Sequence, residues 1–339
     1  MSELVVGTVV SRNHMAYARV LADSLRRWHP ELELHVLVVD HHEGDEPFEL
    51  LTLEGVSRHR RFVHSLQEVL VLAKLTLLGE LLRRGHKRAL FLDSDMLVTA
   101  PLDPLLDAVR DAPVVLTPHL LEPVAAEREL QILISGVFNA GVIGLANDDR
   151  GRAFLEQWSE RLDTHCRFDV ERGVYYEQRW LDLAPSTCPG LLILRDPAIN
   201  VAWWNLSERD ATQCRLMHFS RQGPALPDEL VGPYRALLEE AGLRDGERLG
   251  YEFGCFADGA PIPDAARTLY REAPPLFRDP FTDPGFRRWL DEPLAPGVSR
   301  LWDAVYRSRP DLQEAWPDHL EADREWFAAW IREYGPTGA

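Results

Sequence analysis

Two carboxylates one residue apart, at the end of an apolar run, are the part of this chain best suited to chemistry. Residues 88–100 read RALFLDSDMLVTA. Ala89, Leu90, Phe91 and Leu92 are too few for a helix and fit a buried strand, which delivers Asp93 and Asp95 at its carboxyl end. The period of two along a strand points both acids to one face. Like charges so close repel and are costly to desolvate, so a shared divalent cation facing a diphosphate accounts for the pair. A solvated turn containing two acids is the alternative that these residues alone leave open.

The elements that would position such a site are legible around it. Residues 4–10 read as a buried strand, Ser11 to His14 as a polar loop, and residues 15–28 as a helix with Tyr17, Val20, Leu21, Leu25 and Trp28 at helical spacing. A second strand, 34–39, ends in Asp40, which would either meet a ribose or base or simply open the next loop. The adjacent His41 and His42 sit in an acidic loop and read as solvated rather than metal-bound. An apolar helix over 66–84 carries Lys74, which is either a surface lysine or a cation beside the diphosphate. A short helix after Pro101 and Pro104 and a β-rich segment at 112–117 continue the alternation of β and α. That alternation predicts a three-layer αβα sandwich with a mainly parallel sheet.

Further on, ISGVFNAGVIGL at 134–145 places Gly136, Gly141 and Gly144 around Asn139. Glycines there allow close ligand approach or mark a bulged strand. Residues 151–162 form an amphipathic helix. YYEQRWLDLAP at 175–185 sets Glu177 and Gln178 at a helix start, where an acid can be a cap. A strand at 191–194 precedes NVAWWNL at 200–206, where Trp203 and Trp204 with the amides Asn200 and Asn205 suit a sugar-binding surface or, for the tryptophans, a core. RLMHFS at 215–220 is a strand bearing His218, by itself an ordinary structural histidine.

Composition bounds the partners. The 339 residues are 45% hydrophobic with a formal net charge of −17, which argues against a broad nucleic-acid surface or docking on anionic lipid by charge. Any anionic ligand must be held locally. No signal peptide or transmembrane run is visible, and the four scattered cysteines read as reduced thiols, so the expected compartment is cytoplasmic. Lysine occurs only as Lys74 and Lys87; the other basic residues are arginine.

The ordered set VVSRNHMAYA, LDSDMLV, FNAGV, EQRWLD and MHFS resembles GT-A glycosyltransferases, most closely the retaining group of glycogenin and the lipopolysaccharide galactosyltransferases. The resemblance covers residues 1–224 and implies a Rossmann-like αβα catalytic domain with a mixed sheet that binds a nucleotide-sugar. It implies a metal-dependent hexosyltransferase moving a sugar, with retention, from a nucleotide-diphospho-sugar of the UDP type. The acceptor would be a saccharide, a lipid-linked sugar or a peptide. Asp93, Asp95 and His218 would hold Mn²⁺ or Mg²⁺, and Thr8, Val9, Ser11 and Asp40 would lie at the base and ribose. Lys74, Asp93 and Ser94 would lie at the diphosphate and ribose, and Trp203, Trp204 and Asn205 around the donor. Asn139 and Glu177 would bind the sugar, and Gln178 would face its anomeric carbon.

Two departures stand out. Ser11 or Arg12 replaces the acid that often reads the base, and the Lys-Pro that often follows the His strand is replaced by SRQGPALP, leaving Arg221 as the cation available there. Residues 225–339 hold 13 of the 24 prolines and read as a helical extension, with helices near 228–241, 263–273, 298–308 and 320–334. Its favoured role is shaping the acceptor site or packing on the catalytic domain; a homodimer or docking of a partner enzyme are the other roles. Two rival readings remain at this stage. One is a non-catalytic, glycosyltransferase-like assembly subunit. The other is a haloacid-dehalogenase-type phosphohydrolase, whose motif wants Thr or Val where this chain has Leu97.

Overall fold

The computed structural model describes residues 3–53, 56–220, 226–272, 277, 279–295 and 297–315. In chain order the first elements are β1 (Leu4–Val10), α1 (Met15–Trp28), β2 (Leu34–Val38), β3 (Glu49–Thr52), α2 (Arg58–Val63), α3 (Leu66–Arg83), β4 (Arg88–Leu92) and β5 (Met96–Val98). Next come α4 (Asp103–Asp111), β6 (Val114–Pro118), α5 (Ala126–Ser135), β7 (Phe138–Ala146), α6 (Asp149–His165), β8 (Phe168–Asp169) and β9 (Val174–Tyr175). Then follow α7 (Ala184–Thr187), β10 (Leu192–Ile193), β11 (Ile199–Val201), β12 (Leu216–His218), α8 (Asp228–Glu240) and α9 (Leu243–Leu249). The last helices are α10 (Asp264–Glu272), α11 (Pro284–Leu290), α12 (Arg300–Arg307) and α13 (Pro310–Ala315). The helix expected at 320–334 lies outside the described residues, as does Arg221.

The chain forms two compact units, one from residues 1–53 and 68–250, the other from 54–67 and 251–339. In the first, seven strands run in the order β10-β6-β7-β4-β1-β2-β3. β7 is antiparallel to β4 and β6, while the remaining neighbours are parallel. Every residue of β1 and of β7 is buried, the consequence of covering both sheet faces with helices. One face receives α1 and α4, whose Leu21, Leu25, Leu105 and Val109 pack with Val6, Val36, Leu90 and Val142. The opposite face receives α3. Gly7 allows that approach, since a Cβ there would stand 2.9 Å from Leu77 and 3.0 Å from Leu81. The arrangement is the mixed-sheet α/β sandwich expected, followed by a helical carboxyl-terminal region.

A second, three-stranded sheet, β11-β12-β5, stands at the carboxyl end of β4. There β12 runs antiparallel to β5 with His218 opposite Met96. Phe219, next to His218, stacks on Tyr234 of α8 with ring centroids 3.8 Å apart, which fixes the end of β12. β3, α2, α5 and α9 have no counterpart in the sequence expectations.

The second unit is organised around Phe62 of α2. That ring meets Tyr270, Phe281 and Phe286 edge-on at centroid distances of 5.0, 5.0 and 5.5 Å. The buried Arg267 donates to the Phe62 and His64 carbonyls at 2.7 and 3.1 Å, satisfying acceptors that the end of α2 leaves open. No helix among the described residues is long and apolar enough to cross a membrane.

Candidate functional site

Asp93 and Asp95 do converge, but not by the period of two. β4 ends at Leu92, and Asp93 to Asp95 form a turn into β5, closed by Met96 N–H donating to the Asp93 carbonyl at 3.3 Å. A turn, not a strand face, brings the carboxylates together. His218 arrives from β12 with its Nε2 3.1 Å from Asp95 Oδ1 and 3.8 Å from Asp93 Oδ2. Ligand atoms of all three residues lie within 4.8 Å of one another, and among the described residues no other His, Cys, Asp or Glu cluster does so. Two carboxylate oxygens and an imidazole nitrogen form a donor set that suits a divalent cation.

Space for the carboxylates depends on Gly141 of β7. A Cβ there would stand 2.7 Å from both Asp93 Oδ2 and Asn139 Oδ1, and 2.8 Å from Met96 Cε. Both glycine readings hold at Gly141: side chains approach it closely, and it lies in the stretch of β7 where the pairing to β6 shifts, Leu116 standing opposite Ile143 and Thr117 opposite Asn139.

Electrostatics in this corner are tightly balanced. Burial pushes the Asp93 carboxyl up, against the opposing pull of Lys74 and His218. Burial acts the same way on Asp95, but the His218 charge and hydrogen bond outweigh it and hold Asp95 below the usual carboxylate range. Burial disfavours charged His218, yet Asp95 wins and raises it. The site therefore favours a positive charge between the carboxylates.

Lys74 is no surface lysine. It is 5% exposed and its ammonium donates to Glu177 Oε1 at 2.8 Å and to the Ala140 carbonyl at 2.9 Å, with Asp93 Oδ1 3.5 Å away. Burial would lower its pKa, but Asp93 and Glu177 together raise it. Glu177 stands at the start of the 3₁₀ turn Gln178–Leu183 without capping it through its side chain. Its carboxylate is committed to Lys74. Gln178 is fixed at both ends, Oε1 accepting from Ala140 N–H at 3.1 Å and Nε2 donating to the Ser135 carbonyl at 2.8 Å. Asn139 lies beside it, donating to Gln178 Oε1 at 3.3 Å.

The remaining expected residues are less uniform in setting. Thr8 is fully buried and its hydroxyl finds no hydrogen-bond partner among the described residues; Val9 is buried beside it. Ser11 is also buried, donating to Asn13 Oδ1 at 2.6 Å, and Asp40 accepts the Arg12 N–H at 2.7 Å, so it anchors the loop after β1. Ser94 is half-buried between the two acids. Trp203 is partly exposed beneath the Arg128 guanidinium, 4.6 Å from its ring centre. Trp204 is 5% exposed and packs edge-on against His218 at 5.2 Å. Asn205 is fully buried and serves its own loop, accepting from Ala202 N–H and donating to the His119 and Asn200 carbonyls. The His41 and His42 rings pair with Glu43 and Glu46.

No family model matches this chain. Among curated proteins, the uncharacterized protein YfnD of Bacillus subtilis (strain 168) is 22% identical over 227 residues, which cover 61% of this chain and 70% of YfnD. Among solved structures, the galactosyltransferase LgtC in complex with donor and acceptor sugar analogs is 19% identical, covering 70% of this chain and 95% of its own, with a TM-score of 0.49. The glycosyltransferase GlyE of Streptococcus pneumoniae TIGR4 is 14% identical over 73% of this chain and 64% of its own, with a TM-score of 0.46. At such values the likeness assigns no activity to this chain, and the site rests on its own geometry.

Two residues at the site, Arg209 and His119, have no role in the sequence reading, and Asn200 has one there only as an amide beside the tryptophans. Asn200 bridges His218 and Asn139, each at 3.0 Å. Arg209, 5% exposed, ties the Pro118, His119, Ile199 and Asn200 carbonyls together. Nothing in the SERDA sequence around it distinguishes it from a surface arginine. His119 is 4% exposed and packs edge-on against Trp204.

His119 supplies a pH prediction. Burial, the largest cause, pushes its pKa from 6.5 down to about 4. The folded state thus resists protonation while the unfolded state accepts it, so stability is full above 6.5 and falls as pH drops towards 4. The loss is of the order of 3 kcal/mol. Urea unfolding between pH 7 and 4.5 is expected to show this slope in the wild type and a flatter one in His119→Gln; equal slopes would place the dependence elsewhere.

Proposed function

We propose that the chain is a metal-dependent glycosyltransferase transferring a hexose from a nucleotide-diphospho-sugar. The observation that carries this reading is the convergence of Asp93, Asp95 and His218, from two segments more than 120 residues apart, at the carboxyl end of a central strand of an α/β sheet. Ligands of open α/β sheets bind outside those strand ends. Segments that resemble glycosyltransferase motifs meet at that one place.

Asp93, Asp95 and His218 would hold Mn²⁺ or Mg²⁺. A bound divalent cation supplies charge compensation for the nucleoside-diphosphate leaving group. Asp93 and Ser94 would face the ribose and diphosphate, and Thr8, Val9, Ser11 and Asp40 would border the base, with UDP the proposed nucleotide. Gln178, whose amide is held by Ala140 and Ser135, would face the anomeric carbon, with Asn139 and Glu177 toward the sugar hydroxyls. Lys74 holds Glu177 and neutralises charge behind Asp93. Because Glu177 is engaged by Lys74 at 2.8 Å, it is poorly placed to be a free general base, which favours retention over inversion. The acceptor would be a saccharide, lipid-linked or peptide group, and residues 1–224 would carry the catalytic region.

A thermal-shift screen of UDP-, GDP- and dTDP-sugars with Mn²⁺ tests this directly, because a ligand of the native state raises Tm. A UDP-sugar with Mn²⁺ is expected to raise Tm and, on incubation, to release UDP slowly. A chain whose melting ignores every nucleotide-sugar with and without Mn²⁺ would overturn the reading.

A further inference from the structure

The side chains behind the cation site form an ordered relay whose polarity is fixed by the backbone. Gly141 N–H is a donor without ambiguity, and it donates to Asn139 Oδ1 at 3.0 Å. Asn139 Oδ1 is thus an acceptor, so the atom of Asn200 lying 3.0 Å from it must be the amide nitrogen. The same nitrogen reaches Thr117 Oγ1 at 3.0 Å, a hydroxyl able to accept. The other end of the Asn200 amide is consequently its oxygen. That oxygen lies 3.0 Å from His218 Nδ1, so Nδ1 must carry the hydrogen. With Nδ1 protonated, the nitrogen free to exchange its proton for a cation is Nε2, the atom that faces Asp93 and Asp95. The opposite tautomer would turn an N–H towards the cation and set two lone pairs against each other at Asn200.

Asn200 is also held in an unusual backbone state. Its φ is +62°, and only it and Tyr176 among the described non-glycine residues have positive φ. Asparagine tolerates this region better than most residues, and a residue kept there is held by its surroundings. Asn200 is 1% exposed, and its carbonyl is tied by Arg209 at 3.2 Å and Asn205 at 3.1 Å. Backbone and side chain are therefore both fixed, and the amide cannot turn over.

We propose that Asn200 is a positioning residue that sets the tautomer and ring orientation of His218, so that Nε2 is presented as a preformed ligand to the divalent cation. The inference rests on the proposed cation site and adds a residue outside its ligand set. Groups that orient a metal-ligating histidine through its other nitrogen typically change metal affinity by about 10- to 100-fold when removed.

Mn²⁺ binding to the full chain without nucleotide, followed by calorimetry or by loss of the free-Mn²⁺ electron-paramagnetic signal, is the test. Asn200→Gly accepts the positive φ but removes the amide, and is expected to weaken Mn²⁺ binding by about 10- to 100-fold. Asn200→Asp keeps an oxygen acceptor for Nδ1–H but sets its second oxygen against Asn139 Oδ1, so its Mn²⁺ affinity is expected to fall between those of wild type and Asn200→Gly, a partial rescue that a merely structural role would not give. His218→Ala separates the two levels of the argument. If it binds Mn²⁺ as the wild type does, the cation site itself is wrong. If it abolishes binding while Asn200→Gly binds normally, the role of Asn200 is wrong and the cation site stands. The wild type gives a second measurement that needs no variant: long-range ¹H–¹⁵N spectra of ¹⁵N-histidine protein with Mg²⁺ are expected to show His218 protonated at Nδ1. A His218 lacking that proton overturns the proposal.

Discussion

Asp95→Asn is expected to lower metal-stimulated turnover by about a thousandfold, some 4 kcal/mol in the barrier, with the melting temperature kept within a few degrees. The substitution preserves volume and removes charge. Asp95 is one of two carboxylates in the candidate cation site, and its carboxylate makes the closer approach to His218, 3.1 Å against 3.8 Å for Asp93. Its backbone contribution is separate: the Asp95 carbonyl accepts the Phe219 N–H at 2.9 Å, which asparagine retains. Loss of charge should therefore cost cation affinity and leave β5 and β12 paired. The measurement is nucleotide release from the donor found in the screen, across a Mn²⁺ titration, beside a melting curve. Wild-type turnover at saturating Mn²⁺ would be incompatible with the proposed mechanism.

Gly141→Ala should be nearly as damaging without touching any polar group. The added methyl would meet Asp93 Oδ2 and Asn139 Oδ1 at 2.7 Å and Met96 Cε at 2.8 Å, so something must move. Overpacking of this kind costs about 1–3 kcal/mol of stability. Asp93 is partly exposed and can swing aside, whereas Met96 and Asn139 are buried. Relief at Asp93 dismantles the cation site, and a shift of about 1 Å in a reacting constellation is worth about a hundredfold in rate. The expected result is weakened Mn²⁺ binding and at least about a hundredfold slower turnover in a folded protein. Unchanged Mn²⁺ affinity together with unchanged turnover would show that Asp93 is not held as described.

The relation between these two residues explains a property of the site. Gly141 lets Asp93 approach β7, and its carbonyl accepts the Asp93 N–H at 2.9 Å, so the strand positions the acid by both backbone and space. Gly141 N–H, through Asn139 and Asn200, also orders His218. One residue of β7 thus touches both halves of the candidate cation site.

Local signals were sufficient for a good part of this. The apolar run before Asp93, the helical spacing over Met15–Trp28, and the apolar β1 and β7 each fix an element from residues a few positions apart. The Asp93-Asp95 pair was legible because a buried strand that ends in two acids is uncommon on physical grounds. Its convergence was expected for the wrong reason, since a turn rather than strand pleating joins the two. Lys74 stands out as a cation on an apolar helix of an acidic chain, but nothing around it tells a buried bridge from a surface lysine.

What the sequence by itself determined was the order of elements and the chemical types present: a mixed α/β sandwich, an acid pair at a strand end, and amides and a histidine farther along. Tertiary structure alone decided which of them meet. His218 reaches Asp95 because β12 pairs antiparallel with β5, a contact whose sequence separation leaves no periodic trace. Asn200, His119 and Arg209 gain their roles only from that meeting, because a hydrogen bond between distant residues depends on where two backbones pass, and neither local sequence encodes the other.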